Sequence, residues 1–463
     1  MEVKNMSKSL TKRQYLILGS LLFGLFFGAG NLIFPIHLGQ LSGANWGAAT
    51  LGFLLTAILL PLLSILAISL TRSNSAYDLA LPVGRHFALF FLILIHLTLG
   101  ILVASPRTAT TTFAMGVQPF LPQGSDRLGL LIFSAIFFGI AYGLAYHQSK
   151  ITDYVGKLLN PILLALLAFI FFMAFVLKGQ LRTLHLWSAT GTGAGSNLIN
   201  GFLQGYNTMD ALAGLGFGVT IIAALKGFGL TNVRERSRVV ARVGALSMGL
   251  EALIYLGLIA LGASSLQYLS LSSEGGTAFT QIMAHYTGLA GTAILGAVTF
   301  LACMTSCIGM LAALSQDWGE RFPRLGYHFF LTVSCLGAFS IANLGLTQII
   351  QYSTPLLSFV YPLAMALIFL GVLHRWIGQN PVIYRTTVWL TLLPAVLDAI
   401  HNLPPVWAHW PLFHAIDAWA SQTIPLFSVG LDFFPFMVVG LLGSWLWVKA
   451  RGTAVASAKS EPR

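Results

Sequence analysis

Long apolar runs separated by short polar segments dominate the chain. Twelve stand out, at 15–39, 45–70, 86–118, 128–147, 152–177, 196–226, 239–263, 288–315, 326–345, 351–373, 382–401 and 426–449. Each is close to the roughly 20 residues an α-helix needs to cross a bilayer. The short alternating segments of a membrane barrel are missing, so every run predicts a helix. Two runs contain residues ill suited to a spanning helix. Run one carries FFGAGNLIFP at 26–35, with Gly28, Gly30, Asn31 and Pro35 near its middle. Run six carries FLQGYNTMDALAGLGFGVTII at 202–222, with Gly205, Asn207, Asp210, Gly214, Gly216 and Gly218.

Unpaired backbone in hydrocarbon costs several kcal/mol per group, so irregular chain survives there only inside protein or along a watery cavity. GAGN alone has two readings. Small residues also serve close helix packing, with the amide bonding a neighbour; alternatively the helix is unwound and its freed groups bind a solute. The second interrupted run favours unwinding, and an aspartate at mid-depth is a functional candidate by default. Breaks at corresponding places in runs one and six are what an inverted repeat of five helices plus five would give. Residues 14–177 would be the first repeat and 196–373 the second. Residues 382–449 would add two spans, with tails at 1–13 and 450–463. A half-helix that starts after a break points N–H groups and a positive dipole end into the gap, which suits a carboxylate. A half-helix that ends there offers carbonyls, which suit an ammonium group or a small cation. A zwitterionic amino acid needs both.

Composition agrees with the pattern: of 463 residues, 56% are hydrophobic and 8% charged, against about 25% charged in soluble domains. The fold class is therefore an all-α polytopic membrane protein with about twelve transmembrane helices. A net charge of +11 would fit a nucleic-acid binder, but its distribution argues otherwise. All but four of the twenty-five Lys and Arg fall on the side of the termini, the exceptions being Arg107, Arg127, Lys178 and Arg182. That is the positive-inside bias, with both termini cytoplasmic. The expected partners are a small solute and membrane lipid, not nucleic acid. Cys303, Cys307 and Cys335 lie in runs and read as small buried hydrophobes. The basic start carries no cleavable signal pattern, and the tail ARGTAVASAKSEPR reads as disordered.

Other motifs add little. GTGAGS at 191–196 lacks a strand–helix context and reads as a lead-in to run six. The chain has no GxxxxGK[ST], HExxH or GxSxG, so neither a nucleotide-driven pump nor a hydrolase is supported. It has no ring of charges or repeated filter loop, which counts against a channel. His37, His96, His147 and His285 are scattered and fit packing better than ligation.

LFFGAGNLIFP in run one, SPRTATTTF in run three and GYNTMDALAGLGFG in run six together resemble the bacterial branched-chain amino acid:cation symporter family. The resemblance extends over essentially the whole chain in span number, topology and motif order. It implies a LeuT-type five-plus-five fold with helices 1 and 6 broken, in the bacterial plasma membrane. It implies import of leucine, isoleucine and valine with a coupling cation, usually sodium, and no other cofactor. A proton-coupled carrier for another amino acid is the alternative. By the same resemblance, the N–H groups of Ala29 and Gly30 hold the substrate carboxylate. A sodium ion takes the carbonyls of Gly24, Phe27 and Ala302 and the hydroxyls of Thr305 and Ser306. Positions 302, 305 and 306 share one helical face, and an all-oxygen set suits a hard cation. Back-bonding to the preceding turn is the plainer fate of Thr305 and Ser306. Asn31 either contacts a second cation beside the substrate or braces the break.

Met209, Asp210, Ala211, Ala213 and Gly214 are the span-six candidates for substrate contact, with carbonyls from Met209 to Ala213 as ammonium acceptors. Asp210 would pair with the ammonium, take a proton, or cap the helix that follows. Tyr206 is a gate or a packing aromatic. Phe217 and Leu215 would line an apolar pocket or pack in the core. Arg107 either snorkels to the outer face or serves a gate or the substrate carboxylate. Ser353, Thr354 and Pro355 mark a kink in span ten.

Overall fold

The computed structural model describes residues 10–122, 124–177, 194–230 and 232–458. The first nine residues, Lys178 and Arg182, the first three residues of the GTGAGS stretch and the tail from 459 lie outside them. The described residues form helices and no β-strand. Span one is α1 (Lys12–Phe26) and α2 (Ala29–Ser42). Spans two to five are α3 (Trp46–Leu70), α4 (Arg85–Phe120), α5 (Asp126–Ala145) and α6 (Thr152–Leu177). Span six is α7 (Ala194–Tyr206), α8 (Asp210–Gly216) and α9 (Gly218–Gly227). Then come α10 (Val233–Ser265), α11 (Gly275–Thr287), α12 (Leu289–Arg321) and α13 (Gly326–Ala342). The chain ends with α14 (Leu346–Val372), α15 (Pro381–His401), α16 (Pro411–Thr423) and α17 (Phe433–Ala458).

Among the described residues, 9 helices are long and apolar enough to cross a membrane, and two bent pairs act as broken spans. The apolar α13, with 17 residues, accounts for the remaining expected span. Local chemistry sets several ends. α1 opens on a capping box: the Thr11 N–H donates to Gln14 Oε1 at 2.8 Å, and Thr11 Oγ1 accepts from the Gln14 N–H at 3.3 Å. Gly288, with φ of 60°, turns the chain between α11 and α12. The last span starts at Phe433 rather than 426, because Leu426 (φ 66°) and Gly430 (φ 64°) are left-handed and bracket a single 3₁₀ turn. It then continues helical through Ala458, so residues 450–458 are not the irregular tail that composition suggests. α11 and α16 are short and lie outside the twelve runs.

The chain forms two compact units. Met1–Ile65 with Leu99–Ile349 makes the first, and Leu66–Thr98 with Ile350–Arg463 the second. The first is packed through small residues that let backbones meet. A Cβ on Gly39 of α2 would fall against the Ile259 carbonyl of α10, and one on Gly262 of α10 against the Ile36 carbonyl. Gly116 of α4 and Gly296 of α12 oppose each other, a Cβ on the former reaching 2.9 Å from the latter's Cα. Around these contacts Phe23, Phe27, Phe53, Phe279 and Leu295 form a buried core. In the second unit α15 and α17 pack side by side, a Cβ on Gly440 falling 2.9 Å from the Thr387 Cα. Leu397, Ala420, Ile424 and Phe427 seal α16 against α15. Everything described next lies in the first unit.

Candidate functional site

Span one breaks where glycine and asparagine interrupt it. α1 ends at Phe26, and the Phe27 N–H makes the last bond, to the Phe23 carbonyl at 2.7 Å. Gly28 is extended, and α2 leaves at 68° to α1. Asn31 Oδ1 accepts the Gly28 N–H at 3.0 Å. The first-turn N–H groups of α2, among them those of Ala29 and Gly30, have no carbonyl of their own helix to meet. They face the break with the positive end of a 14-residue helix behind them. Close packing alone does not explain these glycines, because the helix is interrupted.

Span six is interrupted twice. After Tyr206 the Asn207, Thr208 and Met209 N–H groups turn back onto the Gln204, Gly205 and Tyr206 carbonyls at 3.1, 3.4 and 3.0 Å. Met209 is left-handed, with φ of 67°. A second bend of 48° separates Gly216 from Gly218. The two breaks touch. A Cβ on Gly30 would lie 3.1 Å from the Thr208 Cα and 3.2 Å from the Asn207 carbonyl oxygen. Asn31 Nδ2 donates across to Asp210 Oδ2 at 2.7 Å and also bonds the Tyr255 hydroxyl. Asn31 is thereby committed at both ends of its amide, as the brace of the junction.

Asp210 does not cap its helix. The cap position is Met209, and the Asp210 carboxylate turns aside to accept from Asn31 and, at 3.2 Å, from the Tyr255 hydroxyl. Arg107 does not snorkel: it is 5% exposed. Its Nη2 donates to the Asn207 carbonyl at 2.9 Å, and its guanidinium lies over the Phe34 ring at 5.3 Å. A Cβ on Gly30 would be 2.8 Å from the same Nη2. The meeting of the breaks thus holds helix N–H groups and a guanidinium on one side and a carboxylate on the other. This arrangement can hold a small zwitterion.

Of the span-eight trio, Ser306 sits against the same break. Ser306 Oγ lies 3.2 Å from the Gly24 carbonyl, and a Cβ on Gly28 would come within 2.8 Å of that hydroxyl. Thr305 Oγ1 lies 2.9 Å from the Ala302 carbonyl, one turn back on its own helix. Gly24, Phe27, Ala302, Thr305 and Ser306 are all buried. Thr305 alone matches ordinary back-bonding; Ser306 reaches another span, which back-bonding does not do. Ser306 is thus paired with Gly24 and Thr305 with Ala302, and the candidate atoms of the five are carbonyl and hydroxyl oxygens.

Other candidates lie further out. The Met209 and Ala213 carbonyls accept the Ala213 and Phe217 N–H groups at 2.9 and 2.7 Å, leaving each only its second lone pair. Ala211 and Ala213 are buried in α8, and Gly214 faces Ser64 of α3 rather than span one. Tyr206 packs edge-on against Phe202 at 5.1 Å, and Phe217 against Phe26 at 5.7 Å. Leu215 is fully buried.

Sequence reasoning missed three residues. Asn160 of α6 bonds the Ser20 carbonyl through Nδ2 and braces α1 beside Gly24. Tyr255 and Glu251, one turn apart on α10, join the junction; both are 0% exposed. An acid in mid-run was a readable signal for Glu251. Tyr255 and Asn160 carry none.

Comparison with known proteins extends over nearly the whole chain. A family model described as branched-chain amino acid transport protein matches residues 11–451. The branched-chain amino acid permease BrnQ of Lactobacillus delbrueckii subsp. lactis is 39% identical over 428 residues, 92% of this chain and 95% of that one. Permease BraB of Bacillus subtilis is 37% identical over 443 residues, 95% and 96% of the two chains. Permease BrnQ of Salmonella typhimurium is 31% identical over 461 residues, 98% and 99%. Two solved transporters share the fold. A sodium-coupled sialic acid symporter in a substrate-bound outward-open state aligns at TM-score 0.61 and 12% identity, covering 93% of this chain and 89% of that one. Mhp1, a nucleobase-cation-symport-1 family transporter in a closed conformation with bromovinylhydantoin bound, aligns at 0.55 and 16%, covering 94% and 93%. The fold is thus of the LeuT type, as the paired breaks imply.

Proposed function

The chain belongs to the family of branched-chain amino acid transport proteins, and from that premise we propose that it imports leucine, isoleucine and valine with sodium. It is a multi-pass membrane transporter and not an enzyme. In the proposed mechanism the amino acid lies where the two breaks meet. Its carboxylate takes the N–H groups of Ala29 and Gly30 at the start of α2, with Arg107 near. Its ammonium faces the Asp210 carboxylate. The branched side chain turns toward the buried aromatic and aliphatic residues around span six. One methylene in such a pocket is worth about 1–3 kcal/mol, so the three substrates would compete with one another.

Sodium would lie among the carbonyls of Gly24, Phe27 and Ala302 and the hydroxyls of Thr305 and Ser306. A hard cation favours such oxygens. The ion would hold α1 against α12 and so fix the break in the shape that takes the carboxylate. Ion binding and amino-acid binding are then coupled by geometry. Rocking of spans one, two, six and seven against the rest would open the site to each side in turn. The charge bias supports a topology with both termini in the cytoplasm, and the family supports a location in the bacterial plasma membrane.

The observation that carries this reading is the contact of the two breaks, with Asn31 bonded to Asp210 at 2.7 Å and Ser306 3.2 Å from the Gly24 carbonyl. Leucine uptake into proteoliposomes under a sodium gradient or a proton gradient tests it. Sodium-driven uptake, competed by valine and isoleucine and not by alanine, is the expected result. Proton-driven uptake without sodium would remove the cation site. No uptake under either gradient by folded protein would remove the substrate.

A further inference from the structure

The proposed transport cycle makes no use of Glu251. It lies on α10 one turn before Tyr255, 0% exposed, with Leu250 and Ala252 as its chain neighbours. Its Oε2 is 3.5 Å from the Tyr255 hydroxyl, and its Oε1 has no hydrogen-bond partner among the described residues. The same hydroxyl is 3.2 Å from Asp210 Oδ2. A phenol has one hydrogen and so serves one carboxylate at a time.

The hydrogen goes to Asp210. That carboxylate is nearer and already accepts from Asn31. Two donors therefore support it as the anion of the pair. Glu251 has no such support. Asp210 is the charged group that acts on it, and Tyr255 the group that hydrogen-bonds to it. An ionised Glu251 would be a second buried anion beside the first, with no cation of its own and no hydrogen from Tyr255. As the acid it completes the network. Its O–H donates to the Tyr255 oxygen, which donates in turn to Asp210, while Asn31 Nδ2 donates to both. A metal ion fits this place poorly. Asn31 presents N–H groups to it, and no group of three acidic, histidine or cysteine side chains that could hold a metal occurs among the described residues.

We propose that Glu251 is a proton-binding site: in this conformation it holds a proton and donates it as a hydrogen bond through Tyr255 to an ionised Asp210. Loss of that proton sets a second negative charge beside Asp210 and turns the Tyr255 hydroxyl away from it. The consequence for transport rests on the reading of Asp210 as the partner of the substrate ammonium; the protonation itself does not. Amino-acid uptake then falls as pH rises through the titration of Glu251, even when sodium is saturating.

Infrared difference spectroscopy on the full chain in lipid, with neither sodium nor amino acid present, tests the site directly. The wild type is expected to show a protonated-carboxyl band at neutral pH that Glu251→Gln removes and Asp210→Asn keeps. A band equally strong in Glu251→Gln overturns the proposal. Should Glu251→Gln not be recovered folded, Tyr255→Phe replaces it, because loss of the hydroxyl must shift the band; an unmoved band overturns the proposal as well. Sodium-driven leucine uptake across the neutral to alkaline range then tests the link. Wild-type uptake is expected to fall with rising pH. Glu251→Gln, whose amide mimics the acid, stays within about threefold of wild type at neutral pH and flat above it. Folded Glu251→Gln that is inactive, or that falls with pH as wild type does, overturns the link. A band that behaves as expected in a protein with no leucine uptake would mean that the substrate reading fails and the proton site stands.

Discussion

Spans one and six are both interrupted at mid-depth, and they answer the same backbone problem in opposite ways. In span one the break is short and held by a side chain. Gly28 is extended, Asn31 accepts its N–H, and the N–H groups of Ala29 and Gly30 begin a new helix. In span six the break is closed by its own backbone, through successive turns onto the Gln204, Gly205 and Tyr206 carbonyls and the left-handed Met209. Little free backbone is left there, and a carboxylate supplies the charge instead. One break thus offers N–H groups and the other an acid. On the proposed mechanism the difference matches the two ends of a zwitterion and tells which substitution should hurt each side: bulk in span one, loss of charge in span six.

The largest effect is expected from bulk at Gly30. A Cβ there lies 2.8 Å from Arg107 Nη2 and 3.1 Å from the Thr208 backbone, so Gly30→Leu forces the breaks apart. Leucine binding to purified protein should fall by about a thousandfold, roughly 4 kcal/mol. Gly195→Leu, at a position with nothing within 4 Å of a Cβ, should bind as wild type does and controls for handling. Leucine bound normally by Gly30→Leu would remove the carboxylate from the span-one break. Next in size is Asp210→Asn. Asparagine has nearly the shape of aspartate, and its amide oxygen can still accept from Asn31 and Tyr255, so the fold should hold while the charge is lost. A charge-assisted hydrogen bond is worth about 1.5–3 kcal/mol, so leucine affinity should drop between about ten- and a hundredfold. Unchanged affinity would make Asp210 a brace for Asn31, and span six would lose its claim on the ammonium.

The breaks were legible in the sequence because glycine, asparagine and aspartate are costly in an apolar run unless something uses them. For the same reason the twelve runs gave the spans, with errors where the cost is small. α11 and α16 were missed because helices of 13 residues are too short to stand out as crossings. Span twelve was begun too early because Leu426 is apolar and only the backbone shows it left-handed. Glu251 was as readable as Asp210, yet it sits in an unbroken helix whose nearest glycines, Gly244, Gly249 and Gly257, are spread out rather than clustered as Gly214, Gly216 and Gly218 are in span six. Tyr255 is one of 13 tyrosines and becomes special only where α10 passes the junction. Asp210 itself was legible as important but not in its orientation. Whether a carboxylate caps its own helix or reaches another depends on the path of the chain before it, and Met209 decided that.

The smallest effect expected here falls on the ion side of span one. Ser306 is 4% exposed, and its hydroxyl meets the Gly24 carbonyl rather than its own helix. Ser306→Ala keeps the Cβ and the packing and removes one of the five proposed sodium oxygens. The sodium concentration for half-maximal leucine uptake should rise about tenfold, roughly 1.4 kcal/mol, with the maximal rate restored at high sodium. Thr299 lies on the same helix and back-bonds the Leu295 carbonyl at 2.8 Å, away from the break. Thr299→Ala should leave the sodium dependence where it is. If the two substitutions behave alike, the Ser306 hydroxyl only stitches α12 to α1. Span one would then hold the carboxylate without the ion, and a proton on the acid side of the junction, at Asp210 or Glu251, would be the candidate driving ion.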